Sequence, residues 1–463
     1  MLEELEIHNQ FRESPTRFKN HDPHLRKLKS FTYVYESKLL DEPAFLQPGI
    51  YLITGGRQIG KTTFLKQLIS KWLNEERLSP DNIFFLTGEL IDTHHVLRRV
   101  INSFFKPDQK QVLFIDEVNY IPDWDKTIKF VADAGVTDSM SIILTGSDNQ
   151  IIKTSMKRFA GRRGMEDTVD FEYFPLNFLE TAALIRPKDE KTYRTIAESP
   201  LTGDNTLYLE HHETLLDMFS NYLAHGGFLP AINAFYSSPE IPKAVFNTYT
   251  HWIVGDFLKY NKSENYLSEV LKGIIKTYGS QISWIALSKH LSIEHHKTVS
   301  DYCRILESMN VLHIQEAVLE DKMTAAPKKN KKLYFRDPFI AHAVSTYIEN
   351  TDYNSILHSL KSPEYVSSLV ESICVDHCKR HFPTYYISGK KGEVDLAVLL
   401  GNKLLPAEVK WTSQLRPEEL KQISLYKNGL VLQKSGQMRT VGNNITVPLL
   451  HFLLQLSTGT IRV

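Results

Sequence analysis

The chain has 463 residues, its 54 lysines and arginines are balanced by 54 aspartates and glutamates, and 42% of it is hydrophobic. This length predicts two to four domains, and the composition excludes disordered and fibrous classes. The balanced charge means that nucleic acid could bind only through a local basic patch. No apolar run reaches the ~18–20 residues of a membrane span, the acidic N-terminus lacks a signal-peptide pattern, and three cysteines give no disulfide framework. We expect a cytoplasmic protein without a membrane segment.

Residues 1–47 are predicted to form an N-terminal arm, and the most informative motif follows it. Residues 51–53 form a short apolar strand, a glycine-rich loop comes next, and apolar residues at helical spacing follow the loop. Such a loop lets backbone N–H groups approach phosphate oxygens at the positive N-terminus of a helix. Lys61 is expected at the β- and γ-phosphates and Thr62 on Mg²⁺. The predicted nucleotide-binding residues are Gly55, Gly56, Arg57, Gln58, Ile59, Gly60, Lys61, Thr62 and Thr63.

A second apolar strand, at residues 112–115, ends in two carboxylates, Asp116 and Glu117. The carboxyl ends of parallel strands are where open α/β sheets build their sites. Asp116 suits the Mg²⁺ shell, and Glu117 suits the base that orients an attacking water. A solvated strand end has the same pattern, but the preceding phosphate loop favours the catalytic interpretation.

The strand at residues 141–144 ends in polar residues that could reach the γ-phosphate. Ser147, or alternatively Thr145, is predicted as this sensor. Downstream, Arg162 or Arg163 is predicted to contact the nucleotide of a neighbouring subunit as an arginine finger, which implies a homo-oligomer. A solvated basic turn is the alternative. No guanine-reading motif accompanies the phosphate loop, so ATP is the expected nucleotide.

These motifs together resemble a known family. The segments GGRQIGKTTFLKQLI, FIDEVNYIPDWDKTIKFVADAG, IILTGSDNQ, AGRRG and FPLNFLE resemble an AAA-type ATPase family of bacteria and archaea. Its members have a winged-helix segment and a C-terminal domain of unknown function that looks nuclease-like. The resemblance implies an AAA+ core with Lys61 and Thr62 on phosphate and Mg²⁺. It also implies Walker B roles for Asp116 and Glu117, and a sensor near Ser147.

Residues 186–278 are mostly helical by pattern, and the turn at residues 225–230 is similar to the GG-x-P turn of that family. We interpret this region as a helical lid that reports the nucleotide state. A helical connector without a sensing role is the alternative.

Residues 279–336 have the pattern of a winged helix: helices at 284–291 and 297–306, then strands at 311–318 and 332–335. A basic loop between the strands would suit contacts with DNA phosphates. A spacer that contacts only protein is the alternative. The lysines of this predicted wing are Lys322, Lys328, Lys329, Lys331 and Lys332.

The last segment, residues 337–463, is predicted to be a small α/β domain that is similar to the PD-(D/E)XK nuclease pattern. Asp395 and Glu408 would lie on adjacent strands and ligate Mg²⁺ or Mn²⁺, and Lys410 would position or activate the water. Glu371, on the preceding helix, is a further candidate ligand. A nuclease-like fold without catalysis is the alternative. Zinc is not favoured, because Cys374 and Cys378 share one helix face and pack equally well as core.

The sequence therefore predicts an α/β P-loop NTPase core of AAA+ type with a parallel sheet, at residues 48–185. The helical lid, the winged helix and the nuclease-like domain follow. The predicted function is Mg²⁺-dependent ATP hydrolysis coupled to a DNA-related C-terminal module, with nuclease activity open. One alternative is a nucleotide-gated switch whose C-terminal domain only binds DNA or protein. Another is a remodeller of protein partners without a nucleic-acid role.

Overall fold

The computed structural model describes residues 2–147, 152, 157–159, 161–412 and 414–463. The chain divides into two compact units, Met1–Phe174 and Pro175–Val463. This division separates the predicted core from the rest of the chain, although it falls before the predicted boundary at residue 185. The second unit contains the predicted lid, winged helix and nuclease-like domain together. Among the described helices, none is both long and apolar enough to cross a membrane.

The helices of the described residues are numbered here in chain order. They are α1 Leu2–Glu6, α2 Pro15–His21, α3 Pro23–Leu28, α4 Lys61–Asn74, α5 His94–Phe104, α6 Trp124–Asp133, α7 Phe178–Ile185, α8 Glu190–Glu198, α9 Thr206–His225, α10 Leu229–Ser237, α11 Lys243–Leu258, α12 Glu264–Lys276, α13 Trp284–Lys289, α14 His296–Ser308, α15 Pro338–Glu349, α16 Tyr353–Ser359, α17 Pro363–Lys379 and α18 Leu449–Leu456.

The strands are numbered in the same way. They are β1 Gly49–Thr54, β2 Ile83–Thr87, β3 Gln111–Asp116, β4 Met140–Gly146, β5 Asp170–Glu172, β6 Leu312–Glu316, β7 Val318–Leu319, β8 Thr324–Ala325, β9 Lys331–Phe335, β10 Thr384–Gly389, β11 Gly392–Leu400, β12 Lys403–Lys410, β13 Leu430–Gln433, β14 Arg439–Val441 and β15 Asn444–Pro448.

The first unit is built on a five-stranded sheet in the order β2-β3-β4-β1-β5, and every pairing is parallel. Alternate residues of each strand point to opposite faces, and both faces are covered. Ile50 and Leu52 pack with α5 and α6, whereas Tyr51 and Ile53 pack with α4 and the N-terminal arm. This double burial explains why the strands are continuous apolar runs. The prediction of a parallel α/β core is confirmed.

The N-terminal arm packs against this sheet and against α4. Asn9 pairs with the backbone of Phe85 on the edge strand β2, donating to its carbonyl at 2.8 Å and accepting its N–H at 2.7 Å. Lys66 of α4 donates to the His8 carbonyl at 3.1 Å and lies 3.7 Å from the Asp22 carboxylate. Burial lowers the pKa of Lys66 to about 8, and Asp22 partly opposes this shift. The arm therefore covers an exposed sheet edge and completes the core of the unit.

The helical part of the second unit is joined to its C-terminal end. The His451 ring of α18 lies 2.9 Å from the Ile196 carbonyl of α8, and the Leu201 N–H donates to the Arg462 carbonyl at 2.7 Å. The predicted lid and the predicted nuclease-like segment therefore pack directly on each other within one unit.

The predicted winged-helix segment contains α13, α14 and an antiparallel hairpin of β6 and β9, in the predicted order. The hairpin is bonded to the sheet that follows. Gln315 of β6 donates to the Asp395 carbonyl at 2.8 Å, and Tyr386 donates to the Asn330 carbonyl at 2.6 Å. The assignment of a winged helix stays a prediction.

Two of the five lysines that were predicted to lie in the loop of the wing are buried instead. Lys331 and Lys332 are buried, whereas Lys322, Lys328 and Lys329 are exposed. Strand β9 is buried along its whole length, so its lysines need partners within the protein. The positive surface of the hairpin is therefore smaller than the sequence indicated.

The C-terminal sheet has six strands in the order β10-β11-β12-β13-β15-β14 and mixes parallel and antiparallel pairs. Antiparallel pairing sets Leu396 of β11 opposite Ala407 of β12. This register places Asp395 beside Glu408, as the two-strand prediction requires. Helices α17 and α18 pack on the sheet. Cys303, Cys374 and Cys378 are free and buried.

Candidate functional site

The loop between β1 and α4 has the backbone that a phosphate cradle needs. Gly55 has a φ of +155° and Gly60 a φ of +100°, values that side chains disfavour. A Cβ on Gly55 would lie 2.3 Å from the Tyr173 carbonyl oxygen. Gly55 is therefore needed both for its conformation and for its close approach to the chain after β5. The Arg57 guanidinium lies over the Tyr120 ring, 5.4 Å from its centroid.

Lys61 stands at the centre of the loop. Its Nζ donates to the Gly55 and Gly56 carbonyls at 3.0 and 2.9 Å and lies 3.4 Å from Glu117 Oε1. The side chain is only 3% exposed, so the ammonium is held among these oxygens rather than in solvent. This arrangement places the charge of Lys61 between the loop and the strand end that carries the acidic pair.

Asp116, at the end of β3, accepts hydrogen bonds from residues of two other elements. Thr62 donates to its Oδ2 at 2.6 Å, and Thr145 donates to its Oδ1 at 2.5 Å. Both carboxylate oxygens are therefore oriented, and one of them lies beside the Thr62 hydroxyl. Oxygen donors of this kind suit Mg²⁺, so Thr62 and Asp116 fit the predicted cation.

Glu117 is held in a defined position at the same strand end. Its φ is +50°, in the left-handed region that non-glycine residues occupy rarely. Its N–H donates to Thr145 Oγ1 at 2.9 Å, and Ser147 donates to its Oε2 at 3.0 Å. A Cβ on Gly88, after β2, would lie 2.4 Å from the Glu117 carbonyl oxygen. Residues 148–150, which follow Ser147 in the predicted sensor motif, lie outside the described residues.

Thr145 and Ser147, the two residues predicted as sensors, make different contacts in the structure. Thr145 is fully buried and bridges Asp116 to the Glu117 backbone. Ser147 contacts the Glu117 carboxylate instead. Sequence reasoning missed Gly88 altogether, although a glycine directly after a buried strand was a visible signal of close backbone approach.

The predicted arginine fingers lie at the other end of β1. Arg163 donates to the carbonyls of Ile50 and Val169 at 3.3 and 2.8 Å and to the Asp170 carboxylate at 2.7 Å. Ile50 is near the start of β1, so the phosphate loop begins about 13 Å further along the strand. Arg162 pairs with Asp133 and is 40% exposed. Neither arginine is placed to reach the loop of its own chain.

Comparison with known proteins gives a family likeness for this region. Residues 47–182 match a family model described as an AAA domain. This region resembles an AAA domain, and we refer to it by that name. The AAA domain contains every contact described above around Lys61, Asp116 and Glu117, and the AAA-type core that the resemblance implied is thereby confirmed. Residues 216–351 match a second model, described as a domain of unknown function, DUF8612.

Individual proteins are similar to parts of the chain. An uncharacterised protein of Methanocaldococcus jannaschii is 28% identical over 153 residues, and the chain spans 32% of its length. The Walker-type ATPase of Pyrococcus abyssi shares 12% identity at a TM-score of 0.43, with 67% of this chain and 96% of that one covered. The ORC2 protein of Aeropyrum pernix shares 10% at a TM-score of 0.36, covering 73% and 98%.

The predicted nuclease-like residues are brought together at the β11–β12 pair. The Val409 N–H donates to Asp395 Oδ2 at 2.9 Å, and Lys410 Nζ lies 2.9 Å from Glu408 Oε1. Burial, with the Asp395 charge, raises the pKa of Glu371 to about 7 and that of Glu408 to about 8. Burial opposes ionisation of Asp395 too, but the Lys332 and Lys410 ammonium groups lower its pKa.

The structure does not support the predicted metal site in this cluster. Across the described residues, no group of three or more histidine, cysteine, aspartate or glutamate side chains is arranged to hold a metal ion. Instead, the Lys332 ammonium lies against Glu371 and Asp395. The prediction of Glu371, Asp395 and Glu408 as metal ligands is therefore not supported by the geometry.

Proposed function

We propose that the AAA domain binds and hydrolyses ATP, and that its nucleotide state is transmitted to the second unit. The observation that carries this proposal is the hydrogen-bonded set formed by Thr62, Asp116, Thr145, Glu117 and Ser147. It joins the phosphate loop to two strand ends and orients both carboxylates. Preorganised groups of this kind contribute most when charge develops in the transition state.

Each residue has a distinct proposed role. Lys61 binds the phosphates, exchanging the Gly55 and Gly56 carbonyls for phosphate oxygens. Thr62 and Asp116 would hold Mg²⁺, which neutralises phosphate charge when it is bound. Glu117 orients and polarises the attacking water, and Ser147 fixes the carboxylate that does so.

The ATP-binding part of the proposal is tested by Lys61→Ala. We expect this variant to lose ATP affinity and turnover by roughly a hundredfold, because removal of a buried charge that contacts phosphate costs several kcal/mol. The matched control is Lys71→Ala, since Lys71 lies on the same helix and pairs with the surface residues Asp41 and Glu75. Equal ATP affinity in both variants would refute the assignment of the loop.

We propose DNA contact through α14 as a second candidate function. Lys297 and Arg304 are exposed on this helix and spaced two turns apart, and His295 and His296 are exposed at its start. Lys328 and Lys329 add exposed charge on the hairpin. The exposed Asp301 lies between the two basic residues, so we expect modest affinity.

DNA contact predicts salt-dependent binding that weakens when both basic residues of α14 are neutralised. The double variant Lys297→Ala/Arg304→Ala is compared with Lys272→Ala, an exposed lysine of α12. Duplex affinity measured at several salt concentrations should fall, with a shallower salt slope, in the double variant alone. Binding that is absent, or equal in all proteins, would favour a spacer that contacts protein.

A further inference from the structure

The strand residue Lys332 is buried in the midst of the acidic cluster. Its Nζ lies 2.6 Å from Glu371 Oε1, 2.9 Å from Glu393 Oε1 and 3.2 Å from Asp395 Oδ1. The Lys332 side chain is 1% exposed, and its ammonium also lies 5.8 Å from the Tyr386 ring centroid. An ammonium has three donor positions, and three carboxylates surround this one.

Two further carboxylate oxygens of the cluster are engaged by the protein, whereas Glu408 Oε2 is buried without a hydrogen-bond partner among the described residues. Asp395 Oδ2 accepts the Val409 N–H at 2.9 Å, and Glu408 Oε1 pairs with Lys410. Tyr334, two residues after Lys332 on β9, donates to Glu371 Oε1. A divalent cation binds carboxylate oxygens at about 2.0–2.6 Å. It would therefore have to displace the Lys332 ammonium and compete with these donors.

The hairpin that carries Lys332 is fixed in place. Lys332 is opposite Gln315 in the β6–β9 register, and the Gln315 amide donates to the backbone carbonyls of Asp395 and Tyr385 at 2.8 and 3.1 Å. On the other side of the hairpin, Lys329 donates to the Ser388 carbonyl at 3.2 Å. Moving the hairpin away from the sheet would break these bonds and would also remove the Lys332 ammonium from the buried carboxylates, which is costly.

We propose that Lys332 is an internal cation that takes the place of a divalent metal ion in the acidic cluster of Glu371, Glu393 and Asp395. The cluster then acts as a latch that holds the β6–β9 hairpin on the C-terminal sheet. The second unit is in this view a binding and coupling platform rather than a metal-dependent nuclease. The inference concerns the second unit alone and does not depend on ATP hydrolysis by the first.

The test is Mn²⁺ binding to the nucleotide-free full chain, measured as the loss of the free-ion signal in electron paramagnetic resonance. Wild type and Asp395→Asn should bind the same amount of Mn²⁺, because the cluster holds none. Lys332→Met, which keeps most of the side-chain length but removes the charge, should gain about one Mn²⁺ per chain. That gain should disappear in Lys332→Met/Asp395→Asn and be absent in Lys403→Met, which removes an exposed lysine of β12.

Two results would overturn the proposal. The first is wild-type binding of Mn²⁺ that is lost in Asp395→Asn and in Glu408→Gln, which would show a metal beside Lys332. The second is a Lys332→Met protein that has a native circular dichroism spectrum but gains no Mn²⁺. If Lys332→Met does not fold, Mn²⁺ binding to wild type, Asp395→Asn and Glu408→Gln still tests the proposal.

Discussion

Thr145 donates a 2.5 Å hydrogen bond to Asp116 and accepts the N–H of Glu117 at 2.9 Å. One buried hydroxyl on β4 therefore orients both members of the acidic pair on the neighbouring strand. The spatial order of the strands makes this possible, since β4 lies between β1 and β3 and brings its carboxyl end to both the phosphate loop and the acidic pair.

Thr145→Val should preserve the shape of the side chain but remove both hydrogen bonds. Loss of a buried hydrogen bond to a charged group costs about 1.5–3 kcal/mol, so we expect ATP turnover to fall roughly ten- to hundredfold in a folded protein. The matched control is Ser141→Ala on the same strand, because the buried Ser141 hydroxyl has no hydrogen-bond partner within the described part of the chain. Equal steady-state rates in the two variants would contradict the role of Thr145.

The two candidate arginine fingers should behave differently. Arg163 bonds β1 and the β5 region of its own chain, so Arg163→Ala should lower thermal stability. Arg162→Ala should fold normally, because its partner Asp133 is itself exposed and surface ion pairs contribute about 0–1 kcal/mol. If Arg162 acts on a neighbouring subunit, mixing Arg162→Ala with Lys61→Ala protein should restore some turnover. Complete inactivity of every mixture would exclude a finger at this position.

The Asp337 carboxylate contacts the turn at Gly226–Gly227, although Asp337 lies more than a hundred residues later in the chain. Asp337 accepts the Gly227 and Phe339 N–H groups at 2.8 Å each, and a Cβ on Gly226 would lie 1.8 Å from Asp337 Oδ1. Gly226 also has a φ of +59°.

We therefore expect Gly226→Ala to destabilise the second unit by about 2 kcal/mol or more, since both the conformation and the contact are incompatible with a side chain. Gly255→Ala, in helix α11, should instead stabilise by about 0.5–1 kcal/mol, because nothing lies within 4 Å of its Cβ position. Urea denaturation of both variants checks the contrast, and a loss of stability of equal size in both would argue against the Asp337 contact.

Asp337 also gives the second unit a defined pH dependence. Burial raises its pKa from 3.8 to about 7, although two N–H donors oppose the shift. The folded state therefore binds this proton more tightly than the unfolded state. The stabilisation that results is complete below pH 4 and is lost as the pH rises to about 7.

Asp337→Asn removes this titration, so its free energy of unfolding should decline less between pH 4 and 7 than that of wild type. Asp321→Asn, an exposed position, should follow the wild-type curve. Parallel curves for wild type and Asp337→Asn would show that Asp337 is ionised throughout this range.

The residues of the candidate nucleotide site could be selected from the sequence because their signals are local. The loop and its helix are contiguous, and the acidic pair and the sensor end buried strands whose carboxyl ends meet at one sheet edge. Sequence could not decide between Thr145 and Ser147, because both follow the same strand. Their hydrogen bonds in the folded chain distinguish them, because Thr145 bonds Asp116 whereas Ser147 bonds Glu117.

The second unit was harder to predict because its decisive contacts join distant segments. A lysine-rich stretch at residues 328–332 is typical of a solvated loop, and nothing local indicates that Lys332 meets Glu371, Glu393 and Asp395. The predicted adjacency of Asp395 and Glu408 does follow from two neighbouring strands. The cation beside them comes from a hairpin that the sequence pattern places in another domain, so the carboxylates alone indicate a metal site.

Single-turnover hydrolysis by Glu117→Gln tests whether Glu117 orients the water that attacks ATP. The variant should bind ATP with nearly unchanged affinity, because Lys61 and Thr62 remain, but hydrolyse it roughly a hundredfold or more slowly. Glu75→Gln, on the surface after α4, should match wild type. A Glu117→Gln protein that hydrolyses bound ATP at the wild-type rate would contradict this role of Glu117.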